Sequence, residues 1–444
     1  MARTQAAKKT KSKSTAVKGD AFKAQNIALE SSDLEVKPAV TKGEKTKLNF
    51  NFFSGPADVA APRLVIAIAV FFLSVIGLVV VFSASSIEAI DEGLSPEYYV
   101  VRQAAIMLIG LILCIIIAWK IPYDIWQKWP LYGAWAGAIA LLLLTAAIGT
   151  VGLGAQRWVT VAGISGQPSE LAKVAFILMA AFLFNRARLE EIGLNKLTFE
   201  ATVFLVIPLL ILYRSQSDLG TTIICAIGIV AVIYFSGASQ RIIATIFGGI
   251  FVFGILAVAF AGYRTDRLAF LNAEANYYGS GYQLARSFYA FGEGGLFGVG
   301  LGNSTEKYLY LPEAETDFIF AIVGEELGLI GALAVVIAFL AILWAGLRIA
   351  RNAPDLFGTL IAGGCTVMLV FQAFLNIGCV TGVLPTTGKP LPFMSSGGSA
   401  LIGSFLLVGL ILSVSAAQDK RSPFYERRRN DLRVVRSSSA KARK

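Results

Sequence analysis

The chain has 444 residues, 56% of them hydrophobic and 15% charged, with a mean hydropathy of +0.67 and a formal net charge of +10. A water-soluble domain cannot bury that much apolar surface, so the composition indicates a membrane protein. The sequence has no histidine, and its four cysteines lie in apolar runs without C-x-x-C spacing, which excludes Ser-His-Asp triads, His-ligated zinc or haem and cysteine metal knuckles.

The first 62 residues are rich in Lys, Ala, Ser and Thr, which predicts a disordered basic tail and not a signal peptide. For residues 63–415 we predict an all-α polytopic membrane domain, because its apolar runs approach the roughly 20 residues that cross a bilayer. A second basic tail follows at residues 416–444. The ten predicted spans lie near residues 64–84, 103–119, 131–149, 170–184, 201–213, 218–236, 242–262, 318–347, 358–383 and 398–415. The short fourth and fifth spans predict tilted, broken or partly inserted helices.

The distribution of Lys and Arg predicts the orientation of these spans. Twelve occur up to Arg63 and ten in residues 419–444, so both termini are predicted to be cytoplasmic. The loop between the first two spans carries four acidic residues and is predicted to lie outside. The same alternation places the long segment 263–317 on the outer face. The net charge therefore reflects topology and attraction to anionic membrane lipids, and we expect no nucleic-acid binding.

Within the long outer segment, apolar residues recur at helical spacing. Leu284, Phe288 and Phe291 predict a short amphipathic helix on the membrane surface, which the glycines of residues 292–302 would end. These glycines follow no strand and lack a P-loop lysine. The pattern therefore favours flexible or close-packed backbone over a phosphate-binding loop.

Acidic residues at the start of the eighth span are the first pointer to a functional site, because charge is costly in lipid. Asp317 immediately precedes Phe318 in the stretch LPEAETDFIFAIVGEELG. Two interpretations stay open for Asp317: it caps the helix, or it acts as a general base. Glu325 lies about 12 Å deeper and about 80° around the helix. We expect Glu325 to face a cavity, with a structural bond between helices as the alternative.

Basic and polar residues in other outer segments complete a predicted cavity. Fixed cations beside a carboxylate suit an anionic lipid-linked substrate such as a pyrophosphate, since the cations hold phosphate while the carboxylate takes a proton from an attacking hydroxyl. A divalent cation, Mg²⁺ or Mn²⁺, could join them, held by a carboxylate such as Glu313 and by phosphate oxygens. The residues that these segments supply are Arg157, Lys173, Arg214, Gln216, Asp218, Lys389, Ser395 and Ser396.

Three segments carry a resemblance to a known family: GYQLARSFYAFGEGGLFGVGLGNS, LPEAETDFIFAIVGEELG and GVLPTTGKPLPFMSSGGS. In this order they resemble the motifs of the SEDS family, the FtsW/RodA/SpoVE proteins of bacterial cell-wall synthesis. The resemblance covers nearly all of residues 64–415 and is closer to division-type members. It implies a peptidoglycan glycosyltransferase of the cytoplasmic membrane, placed at the division septum, that polymerises lipid II at the outer face.

The resemblance also implies roles for single residues and partners. Asp317 matches the family's catalytic aspartate, implied to activate the acceptor hydroxyl as it displaces undecaprenyl pyrophosphate. Implied partners are a class B penicillin-binding transpeptidase, other division proteins and membrane lipids. The matching positions implied to line the outer cavity are Arg157, Lys173, Arg214, Gln216, Asp218, Glu313, Glu325 and Lys389.

The sequence departs from the family pattern at three positions near this cavity. Glu315 stands where members commonly carry His, Ser217 where Pro is common, and Ser396 where Tyr is common. None of the departures touches Asp317. Because the chain has no histidine, the local charge is more negative and proton transfer must use carboxylates.

Two alternatives stay open at this stage. A lipid II flippase would use the same charged cavity, although a transporter needs polar groups through the full depth of the membrane and the richest cluster here is external. A non-catalytic scaffold for a membrane transpeptidase would use the outer loops as a docking surface. The scaffold hypothesis predicts that Asp317 is dispensable.

Overall fold

The computed structural model describes residues 57–152, 155–161, 164–216, 218–259, 279 and 281–421. Most of the two predicted tails, and residues 260–278 of the long outer segment, lie outside the described residues. The first described helix begins at Ala57, before the predicted start of the membrane domain. The last helix continues to Arg421, beyond its predicted end.

The described residues form an all-α membrane fold, as predicted. Eight helices in them are long and apolar enough to cross a bilayer, counting α5 and α6 as one span. Helix α7 is apolar but shorter, and α8 covers the predicted seventh span, so the count of ten stays a prediction. The helices are α1 (Ala57–Asp91), α2 (Tyr98–Lys120), α3 (Trp129–Ile148), α4 (Pro168–Arg188), α5 (Leu194–Ala201), α6 (Ile207–Gln216), α7 (Leu219–Phe235), α8 (Gln240–Ala259), α9 (Tyr282–Gly294), α10 (Ile319–Arg351), α11 (Leu356–Val380) and α12 (Gly398–Arg421).

The fifth predicted span is a broken helix. A π-helical turn at Thr202–Val206 joins α5 to α6. Pro208 follows at the start of α6, and a proline ring removes one backbone donor and crowds the carbonyl one turn earlier. The wider π turn accommodates the lost hydrogen bond. The span is therefore a broken helix, which is one of the three forms predicted for it.

A small antiparallel sheet precedes α4 and was not predicted from the sequence. Its strands are β1 (Thr150–Gly152), β2 (Ala155–Val161) and β3 (Ile164–Gly166), in the order β1-β2-β3. The sequence of β2, AQRWVTV, is rich in β-branched and aromatic residues that favour strands. The sheet carries the Arg157 segment between α3 and α4.

Helix α10 is broken at Gly328, which has a φ of +66°. The glycine-rich segment after α9 packs into this break, where the N–H of Val299 donates to the carbonyl of Glu325 at 2.9 Å. A Cβ atom at Gly298 would lie 2.1 Å from the carbonyl oxygen of Glu326. The glycines therefore allow close backbone packing, which satisfies carbonyls that the break frees.

The predicted amphipathic helix corresponds to α9. Leu284 is buried, and the ring of Phe291 packs edge-to-face on Phe320 of α10 at 6.0 Å between centroids. Gly295, with a φ of +50°, follows the last residue of the helix. Helix α9 thus packs its apolar side on α10, and this contact holds the glycine-rich segment in place.

Candidate active site

Asp317 lies in a small pocket between the start of α10, the end of α11 and the loop that follows α11. The pocket has an empty volume of about 190 Å³. This volume includes space that is open to solvent. Its lining residues are Asp317, Phe318, Asn376, Cys379, Val380, Thr386, Thr387, Gly388 and Lys389.

Asp317 lines this pocket. The N-cap residue of α10 is Phe318, so Asp317 stands one residue before the cap position. The opposite wall approaches closely at Gly388, where a Cβ atom would lie 3.2 Å from Oδ2 of Asp317. Gly388 has a φ of +64°, a conformation that residues with a side chain adopt only with strain.

The side chain of Asn376 joins two walls of the pocket. Its Nδ2 group donates to the backbone carbonyl of Asp317 at 2.7 Å and to that of Lys389 at 2.7 Å. Asn376 is 2% exposed. One buried amide therefore fixes the segment that carries Asp317 against the loop that carries Lys389.

Behind the pocket lies a group of two carboxylates and two ammonium groups, which we name the four-charge cluster: Glu170, Lys173, Asp218 and Lys389. Nζ of Lys389 lies 2.7 Å from Oδ2 of Asp218 and 3.9 Å from Oε1 of Glu170. Nζ of Lys173 lies 2.6 Å from Oε2 of Glu170. All four side chains are at most 1% exposed. The cluster balances its own charge, as buried ions require.

Lys173 and Asp218 do not reach the pocket, contrary to the expectation that they line a substrate cavity. Lys173 pairs with Glu170 one turn earlier on α4 and also donates to Gln372. Asp218 is the N-cap residue of α7 and accepts from the N–H of Thr221 at 3.0 Å. Partners on their own helices, together with Lys389 for Asp218 and Gln372 for Lys173, therefore hold both charges. Of the four, Lys389 is the one among the residues lining the pocket.

Glu325 was predicted to face a cavity, and this prediction is wrong. It is fully buried and accepts from the hydroxyl of Ser304 at 2.5 Å and the N–H of Thr305 at 2.5 Å. The chain folds back after the glycine-rich segment, which brings residues 304–306 over this carboxylate. Glu325 thus accepts hydrogen bonds from a loop. It neither bonds to another helix nor lines the pocket.

The remaining charged and amide candidates lie apart from the pocket lining. Arg214 is exposed near the end of α6, and Gln216, two residues later, is buried. Glu313 is exposed and accepts from the hydroxyl of Thr316 at 2.7 Å. Arg157 lies on β2, but its side chain is outside the described part of the structure. Their roles in substrate binding stay predictions.

The two candidate serines shape the loop behind the pocket. Oγ of Ser395 accepts from the N–H of Leu391 at 2.7 Å. The backbone N–H of Ser396 donates to the carbonyl of Glu315 at 2.8 Å. The second bond ties this loop to the segment that carries Asp317.

Glu315, which replaces the histidine common in the family, is paired with another carboxyl group. Burial, and to a smaller extent the charge of Glu88 at the end of α1 and a hydrogen bond between the two carboxyl groups, together raise the pKa of Glu315 to about 8. A protonated glutamic acid can donate as a histidine does. The carboxyl pair lies two residues from Asp317 and adds a group that titrates near neutral pH.

The predicted site residues did not include Asn376, Cys379, Thr386 or Thr387, all of which line the pocket. A signal for Asn376 was present, since it is an amide within an apolar span, where polar groups are costly and often functional. The loop that follows α11 thus contributes more of the pocket than the charged residues indicated.

Three comparisons place this polytopic membrane fold among known proteins. Residues 63–420 match the family model described as cell cycle protein, FtsW/RodA/SpoVE. A probable peptidoglycan glycosyltransferase FtsW from Trichlorobacter lovleyi is 36% identical over 365 residues, covering 81% of this chain and 95% of the relative. Stage V sporulation protein E from Bacillus subtilis is 38% identical over 360 residues, covering 80% and 97%.

Solved structures share the fold. RodA from Thermus thermophilus aligns with a TM-score of 0.58 at 24% identity, covering 80% of this chain and 97% of RodA. A chain from a peptidoglycan synthase complex that coordinates polymerisation and crosslinking aligns with a TM-score of 0.60 at 24% identity, covering 81% and 97%. The fold and the matched residues define a multi-pass membrane protein of the SEDS class. The chain belongs to the FtsW/RodA/SpoVE family, as its motifs predicted.

Proposed function

We propose that this protein is a peptidoglycan glycosyltransferase that polymerises lipid II at the outer face of the cytoplasmic membrane. The observation that carries the proposal is the position of Asp317: a half-buried carboxylate in a pocket with two threonine hydroxyls and a lysine. Relatives that match four fifths of the chain are named probable peptidoglycan glycosyltransferases. Both facts support a glycosyl transfer whose base is Asp317.

The proposed reaction is one displacement at a sugar carbon. The carboxylate of Asp317 takes the proton of the acceptor hydroxyl while the hydroxyl oxygen forms a bond to the anomeric carbon of the donor. The bond from that carbon to the pyrophosphate oxygen breaks, and the lipid pyrophosphate leaves with the electron pair. Asn376 fixes the Asp317 segment before substrate arrives, which reduces the reorganisation that the reaction requires.

The negative charge of the leaving pyrophosphate needs cations beyond those of the four-charge cluster. Nζ of Lys389 is already paired with Asp218 at 2.7 Å. Within the described ranges, no three Asp, Glu or Cys side chains converge to hold a metal ion. A Mg²⁺ or Mn²⁺ ion would therefore take much of its coordination from phosphate oxygens of the substrate, and exposed Arg214 is a candidate second cation.

We further propose that the protein acts with a class B penicillin-binding transpeptidase and other division proteins at the division septum. The similar chain in the peptidoglycan synthase complex supports a partnership between polymerisation and crosslinking. Relatives named FtsW support the division role over a role in elongation. The membrane itself holds both lipid II and the partner's anchor.

The test is polymerisation of purified lipid II by the full chain reconstituted with its transpeptidase partner. We expect Asp317→Asn and Asp317→Ala to lower the rate by about 100-fold or more, the scale of a lost general base. Asp91→Asn, which changes an exposed acid at the end of α1, is the matched control and should polymerise as the wild type does.

The same preparation separates the alternatives. Full activity of both Asp317 variants would remove Asp317 as the base and favour the scaffold hypothesis. Transfer of labelled lipid II across vesicle bilayers without polymer formation by the wild type would favour the flippase hypothesis. The Mg²⁺ and Mn²⁺ proposal fails if chelation leaves the rate unchanged.

A further inference from the structure

The amide oxygen of Asn376 has no partner in the part of the chain that the structure describes. Both hydrogens of Nδ2 are used by the backbone carbonyls of Asp317 and Lys389. The amide cannot be flipped, because a flip would turn its oxygen toward two carbonyl oxygens. The residue is 2% exposed and lines the pocket that contains Asp317. Oδ1 is therefore a fixed, buried acceptor beside the proposed base.

A second buried amide on the same helix has hydrogen-bond partners for both its nitrogen and its oxygen. Gln372 lies one turn before Asn376 on α11, donates to the carbonyl of Pro390 at 3.0 Å, and accepts from Lys173. It binds the same loop as Asn376, and both its amide nitrogen and its amide oxygen are hydrogen-bonded. Buried polar atoms are nearly always hydrogen-bonded in folded proteins. The contrast points to a ligand as the missing partner of Asn376.

We propose that Asn376 is a substrate-binding residue whose Oδ1 accepts a hydrogen bond from a hydroxyl or amide N–H of the sugar held beside Asp317. This inference rests on the proposed function and adds the orientation of the substrate. An amide oxygen can only accept, and an ionised pyrophosphate diester offers only acceptor oxygens. This wall of the pocket is therefore the sugar side, and the pyrophosphate lies away from Asn376.

Binding to a protein that cannot turn over tests the inference directly. In an Asp317→Asn background, we compare the affinity for lipid II with that for undecaprenyl pyrophosphate, which carries no sugar. We expect Asn376→Leu to weaken lipid II binding about 10-fold or more, the effect of a lost buried hydrogen bond. The affinity for undecaprenyl pyrophosphate should change by less than about twofold. Equal weakening of both probes, or no weakening of either, would overturn the inference.

The matched control is Gln103→Leu, which removes another buried amide that donates to this loop, at the carbonyl of Ser395 at 2.8 Å. Gln103 is not among the residues that line the pocket, so both affinities should stay unchanged. If Asn376→Leu does not fold, Asn376→Thr supplies a smaller side chain whose hydroxyl can still accept. It should bind lipid II more weakly than the asparagine does, with undecaprenyl pyrophosphate affinity unchanged; unchanged lipid II affinity would contradict the inference.

Polymerisation by the wild type distinguishes a failure of the proposed glycosyltransferase function from a failure of the inference about Asn376. If the wild type forms no polymer with its partner, the proposed function fails whatever Asn376 binds. If the wild type polymerises and Asn376→Leu matches it in both kcat and KM for lipid II, the inference about Asn376 fails alone.

Discussion

The four-charge cluster and the Asp317 pocket are neighbours that differ in how their charged groups are paired. In the cluster, each carboxylate has an ammonium group within 4 Å and the net charge is zero. In the pocket, the carboxylate of Asp317 is half-buried and the amide oxygen of Asn376 has no partner among the described residues. The first arrangement holds helices together. The second contains the polar groups that we propose to contact the substrate.

Lys389 belongs to both regions and shows why charge alone does not mark a binding residue. Its ammonium group pairs with Asp218 inside the cluster, while its carbonyl accepts from Asn376 at the pocket. Gly220 of α7 leaves room for its stem, since a Cβ atom there would lie 2.8 Å from Cγ of Lys389. The lysine therefore transmits the rigidity of the cluster to the pocket wall.

The largest expected effect comes from breaking the cluster at this shared residue. Lys389→Met keeps most of the length of the side chain but removes the ammonium group that pairs with Asp218, while Glu170 keeps Lys173. Removing one partner of a buried ion pair costs about 3–5 kcal/mol. We expect a large decrease in Tm in detergent micelles and a loss of polymerisation, because the pocket wall moves with the cluster.

The control for this prediction is an exposed ion pair. Lys196 is 60% exposed and lies 3.8 Å from Glu200. Lys196→Met should change the free energy of unfolding by less than about 1 kcal/mol, as exposed pairs do. A Lys389→Met protein with an unchanged Tm would show that the cluster does not stabilise the fold.

A smaller effect is expected from adding one methyl group to the pocket wall. Gly388→Ala must hold a φ of +64° and place Cβ 3.2 Å from Oδ2 of Asp317. The backbone strain alone costs about 1–2 kcal/mol. We expect polymerisation to fall by about 10-fold or more, because displacement of a catalytic group is costly, with a modest decrease in Tm.

Gly93→Ala is the control that separates the effect of backbone strain from the effect of displacing the Asp317 carboxylate. Gly93 has a φ of +75° and no atom within 4 Å of its Cβ position. It should lose similar stability and keep its activity. If both variants lose activity equally, the contact with Asp317 is not the cause.

Local pattern predicted most of the fold, and contacts distant in sequence account for the rest. Apolar length located the helices, and the spacing of Leu284, Phe288 and Phe291 located α9. The break at Gly328 could not be predicted, because the donors that satisfy its free carbonyls come from the segment after α9. The sheet at β2 was missed because its strands are short and pair with each other in an outer loop.

The site was predictable in identity but not in arrangement. Family motifs gave Asp317 and Lys389, both of which line the pocket. The motifs gave no information on pairing, so Lys173 and Asp218 were expected to line a cavity, whereas both are buried in ion pairs within the four-charge cluster. Asn376 is uncharged and was not among the predicted site residues, and its hydrogen bonds to two carbonyls on different segments could not be predicted from the sequence.

The smallest expected effect concerns the carboxyl pair beside the pocket. Burial raises the pKa of Glu315 to about 8, against about 4.3 in an unfolded chain. Between these pH values the folded protein binds more protons than the unfolded one, so stability falls as pH rises. Glu315→Gln cannot titrate and resembles the protonated acid. Its Tm should exceed that of the wild type by an amount that grows as pH rises from about 4.3 to about 8 and is constant above that.

Thermal unfolding in detergent micelles from pH 5 to pH 9 measures this difference. Glu97→Gln, at an exposed acid beside α2, should keep the slope of the wild type. If Glu315→Gln keeps that slope too, other groups cause it, and Glu315 is ionised beside Glu88 throughout. If the slope disappears, the carboxyl pair is the titrating neighbour of Asp317. The segment before α10 then contains a group that changes its protonation state near neutral pH.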